Sequence, residues 1–257
     1  MQSKSLGFIG GGRITRIFLK GLSNKKAVPE NVKVFEPNAE TLKALQTEFP
    51  KVNAAESAAD AAKQELVFIA VHPPVVLETL QAIKESVKTG TIVISLAPKI
   101  TLEKMVSVLP TQQLARMIPN ATSFINDGFN PITFSSEVDK KEKKQILKLL
   151  KKLGKTFETD ETKLESYAIA SAMLPTYFWF QWQEMEKISQ EIGLTLEEAQ
   201  KTVSSSLKKA WKIYYKSGLT PEEVMDLIPL KPIEKNEAEI NDILNTKLVG
   251  LYSKIRP

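Results

Sequence analysis

Four of the chain's 11 glycines, Gly7, Gly10, Gly11 and Gly12, fall within six positions, directly after a short apolar run and directly before an amphipathic one. A strand that turns through glycines straight into a helix opens a dinucleotide-binding βαβ unit, and no other feature constrains the fold as much. The physics is local. Gly10 permits the tight turn, Gly12 lets a pyrophosphate approach the backbone, and the exposed N–H groups of the helix start, from Gly11 through Arg13 and Ile14, meet its charge. Thr15 stands where the fingerprint wants Gly or Ala, which is expected to loosen the helix against the strand. Arg13 and Arg16 lie in the first helical turn, where a cation is disfavoured by about 0.3 to 1 kcal/mol unless an anion is bound there. A bound diphosphate reverses that sign; Arg16 equally reads as a side chain that only reaches solvent.

The rest of the first 160 residues continues the theme of short apolar runs alternating with amphipathic segments, the pattern of a parallel sheet covered by helices. Strands are expected at Ser5 to Ile9, Val32 to Glu36, Leu66 to Val71, Thr91 to Leu96, Ala115 to Ile118 and Pro131 to Phe134. Runs such as Leu66 to Val71 show no polar alternation, as in a strand buried on both faces. Helices are expected at about 12–23, 39–48, 56–63, 74–88, 101–108 and 139–153. After Asp160 only helical periodicity remains, over Glu161 to Ile192, Thr195 to Ser217, Pro221 to Ile228 and Glu234 to Ile255. Thr195 with Glu198, and Thr220 with Pro221 and Glu223, are N-cap arrangements. The fold class is therefore α/β, a doubly wound Rossmann-type domain over 1–160 followed by an all-α domain over 161–257. Tyr167 to Trp182 is apolar on nearly every helical face, so it must be surrounded by protein; about a hundred residues of helix can hardly enclose it, and a second subunit is the expected remainder.

Composition removes several classes of function. The chain of 257 residues has no cysteine and a single histidine, which excludes thiol catalysis and nearly every imidazole- or thiolate-built metal site, and suits a reducing compartment. Its net charge of +5 is a mild excess, short of the concentrated basic face that nucleic-acid binding needs. The lysine-rich stretch Lys140 to Lys155 carries an apolar stripe and reads as a helix with a solvated basic face. Leu6 to Ile9 is too short for the apolar region of a signal peptide, and the stretch ending at Trp182 falls short of the roughly 20 residues that span a bilayer. A cytoplasmic protein with no membrane, metal or nucleic-acid partner is expected.

Two further positions belong to the dinucleotide reading. Glu36 ends the second strand, 24 residues after Gly12, near the roughly 20-residue offset at which an acidic side chain accepts from the adenosine ribose 2′-OH. That favours NAD over NADP, although Arg13 or Lys33 could offset the repulsion of a 2′-phosphate; Glu36 also reads as a helix cap, for which Asn38 is the better candidate. Ala70-Val71-His72-Pro73 stands at the carboxyl end of a buried strand, where open α/β sheets hold their ligands. His72 is read as a contact to the nicotinamide end and a candidate proton donor, or as a loop histidine with no chemistry.

Taken in order, these segments resemble the pyrroline-5-carboxylate reductase family, which joins a Rossmann domain to a helical dimerisation domain. Gly7 to Gly12 looks like its opening motif, Ala70-Val71-His72-Pro73 like its Ala-Val-Lys-Pro, Arg116-Met117-Ile118-Pro119-Asn120 is similar to its Arg-x-Met-Pro-Asn, and Pro175-Thr176-Tyr177 matches the end of its Ser-Gly-Ser-Gly-Pro-Ala-Tyr. The departures fall at the substrate. Ser-Gly-Ser-Gly is here Ser171-Ala172-Met173-Leu174, and the family's hydroxyl- and glycine-rich loop aligns with Leu227 to Ile233, which keeps no hydroxyl and contains two prolines. The basic position used for NADP in many members is Pro37. The resemblance implies a dimeric NAD(P)H-dependent reductase of an imine or carbonyl compound, with pyrroline-5-carboxylate itself a doubtful substrate. Ser171, Tyr167 one turn earlier, His72 or water would supply the proton, and Lys231 would face a substrate anion. The other reading is a dimer that binds a dinucleotide without catalysis and acts as a sensor or interaction module.

Overall fold

The computed structural model describes residues 4–257, which divide into two compact units, one of residues 4–172 with Tyr252–Pro257 and one of Met173–Leu251. The first unit runs β1 (Leu6–Ile9), α1 (Arg13–Asn24), β2 (Val32–Phe35), α2 (Ala39–Glu48), β3 (Val52–Ala54), α3 (Ala58–Ala61), β4 (Leu66–Ile69), α4 (Val76–Ile83), β5 (Ile92–Ser95), α5 (Leu102–Val106), β6 (Leu114–Met117), β7 (Gly128–Phe134), α6 (Lys140–Leu150), β8 (Gly154–Glu158) and α7 (Leu164–Tyr167). Its strands form one sheet in the order β3-β2-β1-β4-β5-β6-β7-β8, parallel except for the β6–β7 pair. The strand order reverses between β1 and β4, which makes that crevice the switch point of a doubly wound sheet.

The interior strands explain why the sheet is so firmly placed. Leu66 and Phe68 enter one apolar cluster with Leu6, Phe8 and Phe18, while Val67 and Ile69 enter a second with Ile9 and Leu80, so successive residues of a strand fill two separate cores. Phe8 stacks on Phe68 at 4.8 Å and Phe18 meets Phe68 edge-on at 5.5 Å, which seats α1 over β1 and β4.

Two strands, β3 and β8, are not among those the sequence predicts. They are the two edges of the sheet and keep polar or exposed residues, Asn53 in one and Lys155 in the other, so no unbroken apolar run marks them. The expected helix Glu161 to Ile192 is corrected more substantially. It is broken into a 3₁₀ turn at Glu161–Lys163, then α7, a π-helical turn at Ala168–Ala172, another 3₁₀ turn at Leu174–Tyr177, and α8 (Trp179–Glu191). Pro175 has no N–H to give and its ring crowds the carbonyl four residues back, so a regular helix cannot pass through it. Strand structure ends at Glu158, near the expected division, but the segment up to Ala172 packs with the first unit because Glu161 and Glu165 both bind Arg116 of β6.

The second unit holds α8, α9 (Leu196–Lys216), α10 (Pro221–Asp226) and most of α11 (Glu237–Ile255). Both expected capping boxes are formed, Thr195 with Glu198 and Thr220 with Glu223. Within this unit only Ala199 is buried among the described residues, while Phe178, Trp179, Phe180, Trp182 and Trp211 all stand exposed in the single chain. Among the described residues no helix is long and apolar enough to cross a membrane, and no group of three or more His, Cys, Asp or Glu could hold a metal ion.

Candidate dinucleotide site

Gly10 makes the tight turn that its position predicts, while the Gly11 N–H, expected to be exposed, is taken by the Glu36 carboxylate. Gly10 has φ +100°, a left-handed conformation, and a Cβ there would lie 2.5 Å from the Ala70 carbonyl oxygen, so the turn off β1 is closed to any side chain. At Gly12 the opposite holds: an added Cβ would meet nothing within 4 Å. Gly12 is the N-cap of α1 with no side-chain cap bond, and the first turn contains no acidic residue. The helix start thus presents free N–H groups and an uncompensated positive dipole end to open space, which is the arrangement that an anion completes.

That space is a cavity of about 750 Å³. Gly11, Gly12, Arg13 and Ile14 form one wall and Ala70, Val71, His72 and Pro73 another, while Leu96, Ala97 and Pro98 extend it past the end of β5. Every one of these segments follows the carboxyl end of a parallel strand. The volume is in the range of a cofactor site, about 300 to 1,000 Å³. The residues present fit a nicotinamide dinucleotide, the uncapped α1 N-terminus being suited to its diphosphate.

Thr15 corrects the sequence reading. Its side chain is fully buried and its hydroxyl donates to the Gly10 carbonyl at 2.5 Å, so it fastens α1 to the glycine turn and does not loosen it. Glu36 bridges the loop to the next helix: its carboxylate accepts from the Gly11 N–H at 2.8 Å and from the Asn38 N–H at 3.0 Å, while Asn38 caps α2 through the Thr41 N–H at 2.9 Å. Lys33, one of the two cations that could offset the repulsion of a 2′-phosphate, is paired with Asp60 at 2.9 Å, and this hydrogen bond holds the Asp60 carboxyl below its ordinary range.

Arg13 is exposed on the cavity wall. Arg16 also lines it, with its Nε donating to Glu48 at 2.5 Å and its guanidinium 5.5 Å from the Phe124 ring centroid. That pairing, with Glu48 of α2 also lining the cavity, is the part of the rim sequence reasoning missed; the two residues are 32 apart and no local pattern connects them. His72 is exposed on the wall, N-terminal to a 3₁₀ turn at Pro73–Val75.

The remaining candidates lie elsewhere. Tyr167 packs in an aromatic cluster, 5.5 Å from Phe157 and 6.2 Å from Phe129. Ser171 sits in the π-helical turn and receives hydrogen bonds from Asn120, which follows β6. Lys231 is an exposed residue of the second unit, in the segment after α10.

Comparison with known proteins agrees with this geometry. A family model described as NADP oxidoreductase, coenzyme F420-dependent, matches residues 5–99, the stretch from β1 to just past β5. The pyrroline-5-carboxylate reductase of Escherichia coli (strain K12) is 25% identical over 230 residues, 88% of this chain and 85% of that protein. That of Pasteurella multocida (strain Pm70) is 28% identical over 221 residues, covering 83% and 79%. The crystal structure of Plasmodium falciparum pyrroline carboxylate reductase with NADP bound superposes with a TM-score of 0.84 at 18% identity, over 100% of this chain and 98% of that one. Over most of its length the chain is thus similar in sequence to pyrroline-5-carboxylate reductases, and it shares the fold of a solved pyrroline carboxylate reductase.

Proposed function

We propose that the chain is an NAD(P)H-dependent reductase of a small imine or carbonyl compound. The observation that carries this is the uncapped N-terminus of α1, open above Gly12 and facing the Ala70–Pro73 segment across a cavity at the switch point of the sheet. When bound, the reduced nicotinamide supplies a hydride to the carbon of C=N or C=O, and one proton completes the nitrogen or oxygen. The chain's own part is to hold the diphosphate at Gly10, Gly11, Gly12, Arg13 and Ile14, to seat the nicotinamide end against Ala70, Val71, His72 and Pro73, and to provide a donor at the reacting heteroatom. Ser171, Tyr167 and His72 are the donor candidates, and Lys231 is the candidate for a substrate anion.

Glu36, whose carboxylate lies beside the glycine loop, is read as the partner of the adenosine ribose 2′-OH, and Lys33 is already committed to Asp60, so NAD is preferred over NADP with Arg13 as the remaining cation. The helical unit is read as the dimerisation and substrate-binding part, and the cysteine-free chain as a cytoplasmic homodimer that uses neither metal, membrane nor nucleic acid. The alternative, a dinucleotide-binding module without catalysis, is not favoured by relatives named as reductases. The test is oxidation of NADH and NADPH by the purified chain against a panel of cyclic imines and oxoacids. Turnover of one panel member is expected; dinucleotide binding without turnover of any would leave the catalytic reading without support.

A further inference from the structure

Asn120 is nearly fully buried just beyond the carboxyl end of β6, and every polar atom of its side chain is committed. Its Oδ1 accepts from the Thr122 backbone N–H at 3.0 Å and lies 2.7 Å from the Thr122 hydroxyl. Because a backbone N–H can only donate, this contact fixes which end of the amide is oxygen, and Nδ2 must face the other way. There it meets Ser171, 3.3 Å from its carbonyl oxygen and 3.2 Å from its hydroxyl oxygen. The Asn120 backbone is itself held, its N–H donating to Asn130 Oδ1 at 3.0 Å, and Asn130 is bonded in turn to the Ser123 hydroxyl.

A helical serine commonly donates its hydroxyl back to the carbonyl four residues earlier, which makes it an acceptor toward anything else. Ser171 is in a π-helical turn, a form of helix that recurs at functional sites, and the hydrogen bond found at its hydroxyl is one it accepts. Because Asn120 donates to its oxygen, the Ser171 O–H hydrogen is not directed at Asn120, and no hydrogen bond donated by that hydroxyl is found among the described residues. The Asn120 anchor also lies two strands from β4, whose end lines the dinucleotide cavity, and two strand spacings amount to about 10 Å.

We propose that Asn120 is a positioning residue that sets the Ser171 hydroxyl as a hydrogen-bond donor to the heteroatom of the substrate's C=N or C=O group. The inference rests on the reductase reading above and deepens it: among the donor candidates it selects Ser171, whose hydroxyl accepts from Asn120 and so keeps its hydrogen for the substrate.

The experiment uses the full chain, with the panel substrate of highest turnover and four variants: Ser171→Ala, Asn120→Ala, the two combined, and Asn120→Asp. Ser171→Ala is expected to lower kcat about a hundredfold, the scale of a lost donor at the reacting group. Asn120→Ala should lower kcat in the same direction, and the double variant should fall no further than Ser171→Ala, because the two act as one unit. Asn120→Asp is the diagnostic variant. An ionised carboxylate at position 120 would accept the Ser171 hydrogen and consume the donor, whereas a protonated carboxyl there could donate to Ser171 as the amide does. The kcat of this variant relative to wild type should therefore rise as pH falls through the carboxyl pKa, a recovery that a merely structural role would not produce.

Dinucleotide affinity, measured by fluorescence titration with NADH, should be unchanged in all four variants and reports that each is folded. Additive losses in the double variant, or an Asn120→Asp profile parallel to wild type, would overturn the proposal while leaving the reductase reading intact. If the wild-type chain turns over nothing, that reading fails separately. The hydrogen positions still decide the geometry: a neutron structure with the Ser171 hydrogen directed at a carbonyl of its own chain would overturn the assignment, and one with it directed away from Asn120 and every carbonyl would support it.

Discussion

At Gly12 the absence of a side chain has no structural reason, and this separates it from the other glycines of the loop. A Cβ at Gly7 would lie 2.1 Å from the Ala61 carbonyl oxygen and one at Gly10 2.5 Å from that of Ala70, so substitution at either disturbs the fold before it tests any ligand. At Gly12 the neighbouring space is empty of protein atoms, and a side chain there would compete only with what binds. Gly12→Val is therefore expected to leave the urea midpoint nearly unchanged while weakening NADH binding at least about tenfold, or roughly 1.4 kcal/mol. Retained affinity in the folded variant would move the diphosphate off the α1 N-terminus. Thr15 stands at the other end of this logic. It departs from the expected Gly or Ala, yet its methyl is buried and its hydroxyl is satisfied by Gly10, so one residue performs both the packing and the tethering of the turn.

Between elements, the strongest single tie is the ion cluster around Arg116. The guanidinium is 1% exposed and donates to Glu161 at 2.9 Å and to Glu165, whose side chain is 2% exposed. Glu165 also accepts from the Lys99 N–H at 3.0 Å, and Glu161 from the Leu102 N–H at 2.8 Å, so the segment that leads into the π-helical turn is fastened to β6 and to the chain leaving β5. Removing one partner of a buried pair leaves the other charge unpaired, at a cost of about 3 to 5 kcal/mol, whereas replacing both by apolar groups is often close to neutral. Arg116→Met should accordingly lose about 3 to 5 kcal/mol of stability in urea denaturation, and the double variant Arg116→Met with Glu165→Leu should recover about half of it or more. None of this was legible in the sequence, because Arg116 and Glu165 are 49 residues apart, as Asn120 and Ser171 are 51 apart, and contacts of that range leave no periodicity. What could be read was local: the glycine loop, the caps at Thr195 and Thr220, and interior strands such as Leu66–Ile69, whose burial on both faces forces an unbroken apolar run. The edge strands β3 and β8 escaped because half their residues face water. A further expectation belongs to the segment after α10, where Leu227, Ile228, Leu230 and Ile233 are all exposed and Pro229 and Pro232 have no N–H. A carboxylate is held by charge-assisted donors worth about 1.5 to 3 kcal/mol each, and a single flexible Lys231 does not replace several fixed ones. Pyrroline-5-carboxylate should therefore be a poor substrate, with kcat/KM below the usual lower bound of about 10⁴ M⁻¹s⁻¹; a value within the ordinary enzyme range would show that other donors hold its carboxylate.

For the whole molecule, the two units differ in whether they could stand alone. The first has two apolar clusters, one on either side of its sheet, and needs nothing further to be a stable domain. The second buries only Ala199 among its described residues, while Trp182 on α8, Trp211 and Tyr215 on α9, and Ile243 on α11 remain in water in the single chain. Apolar exposure on this scale, over four helices, is what an obligate interface looks like when one side is removed, and closed two-fold symmetry is the commonest way for identical chains to cover it. The chain is accordingly expected to sediment as a dimer at micromolar concentration, with no dissociation on dilution into the nanomolar range. A charge placed on that surface would be buried without a partner in the dimer but would cost nothing in an exposed helix. Trp182→Glu combined with Trp211→Glu should therefore give a monomer whose helical signal melts early, while NADH binding to the first unit persists, since the glycine loop, the Ala70–Pro73 wall and both apolar clusters belong to that unit. A wild-type chain that sediments as a monomer would mean that the exposed aromatic residues serve some other partner, and a double variant that stays dimeric would put the interface on a different face of the helices.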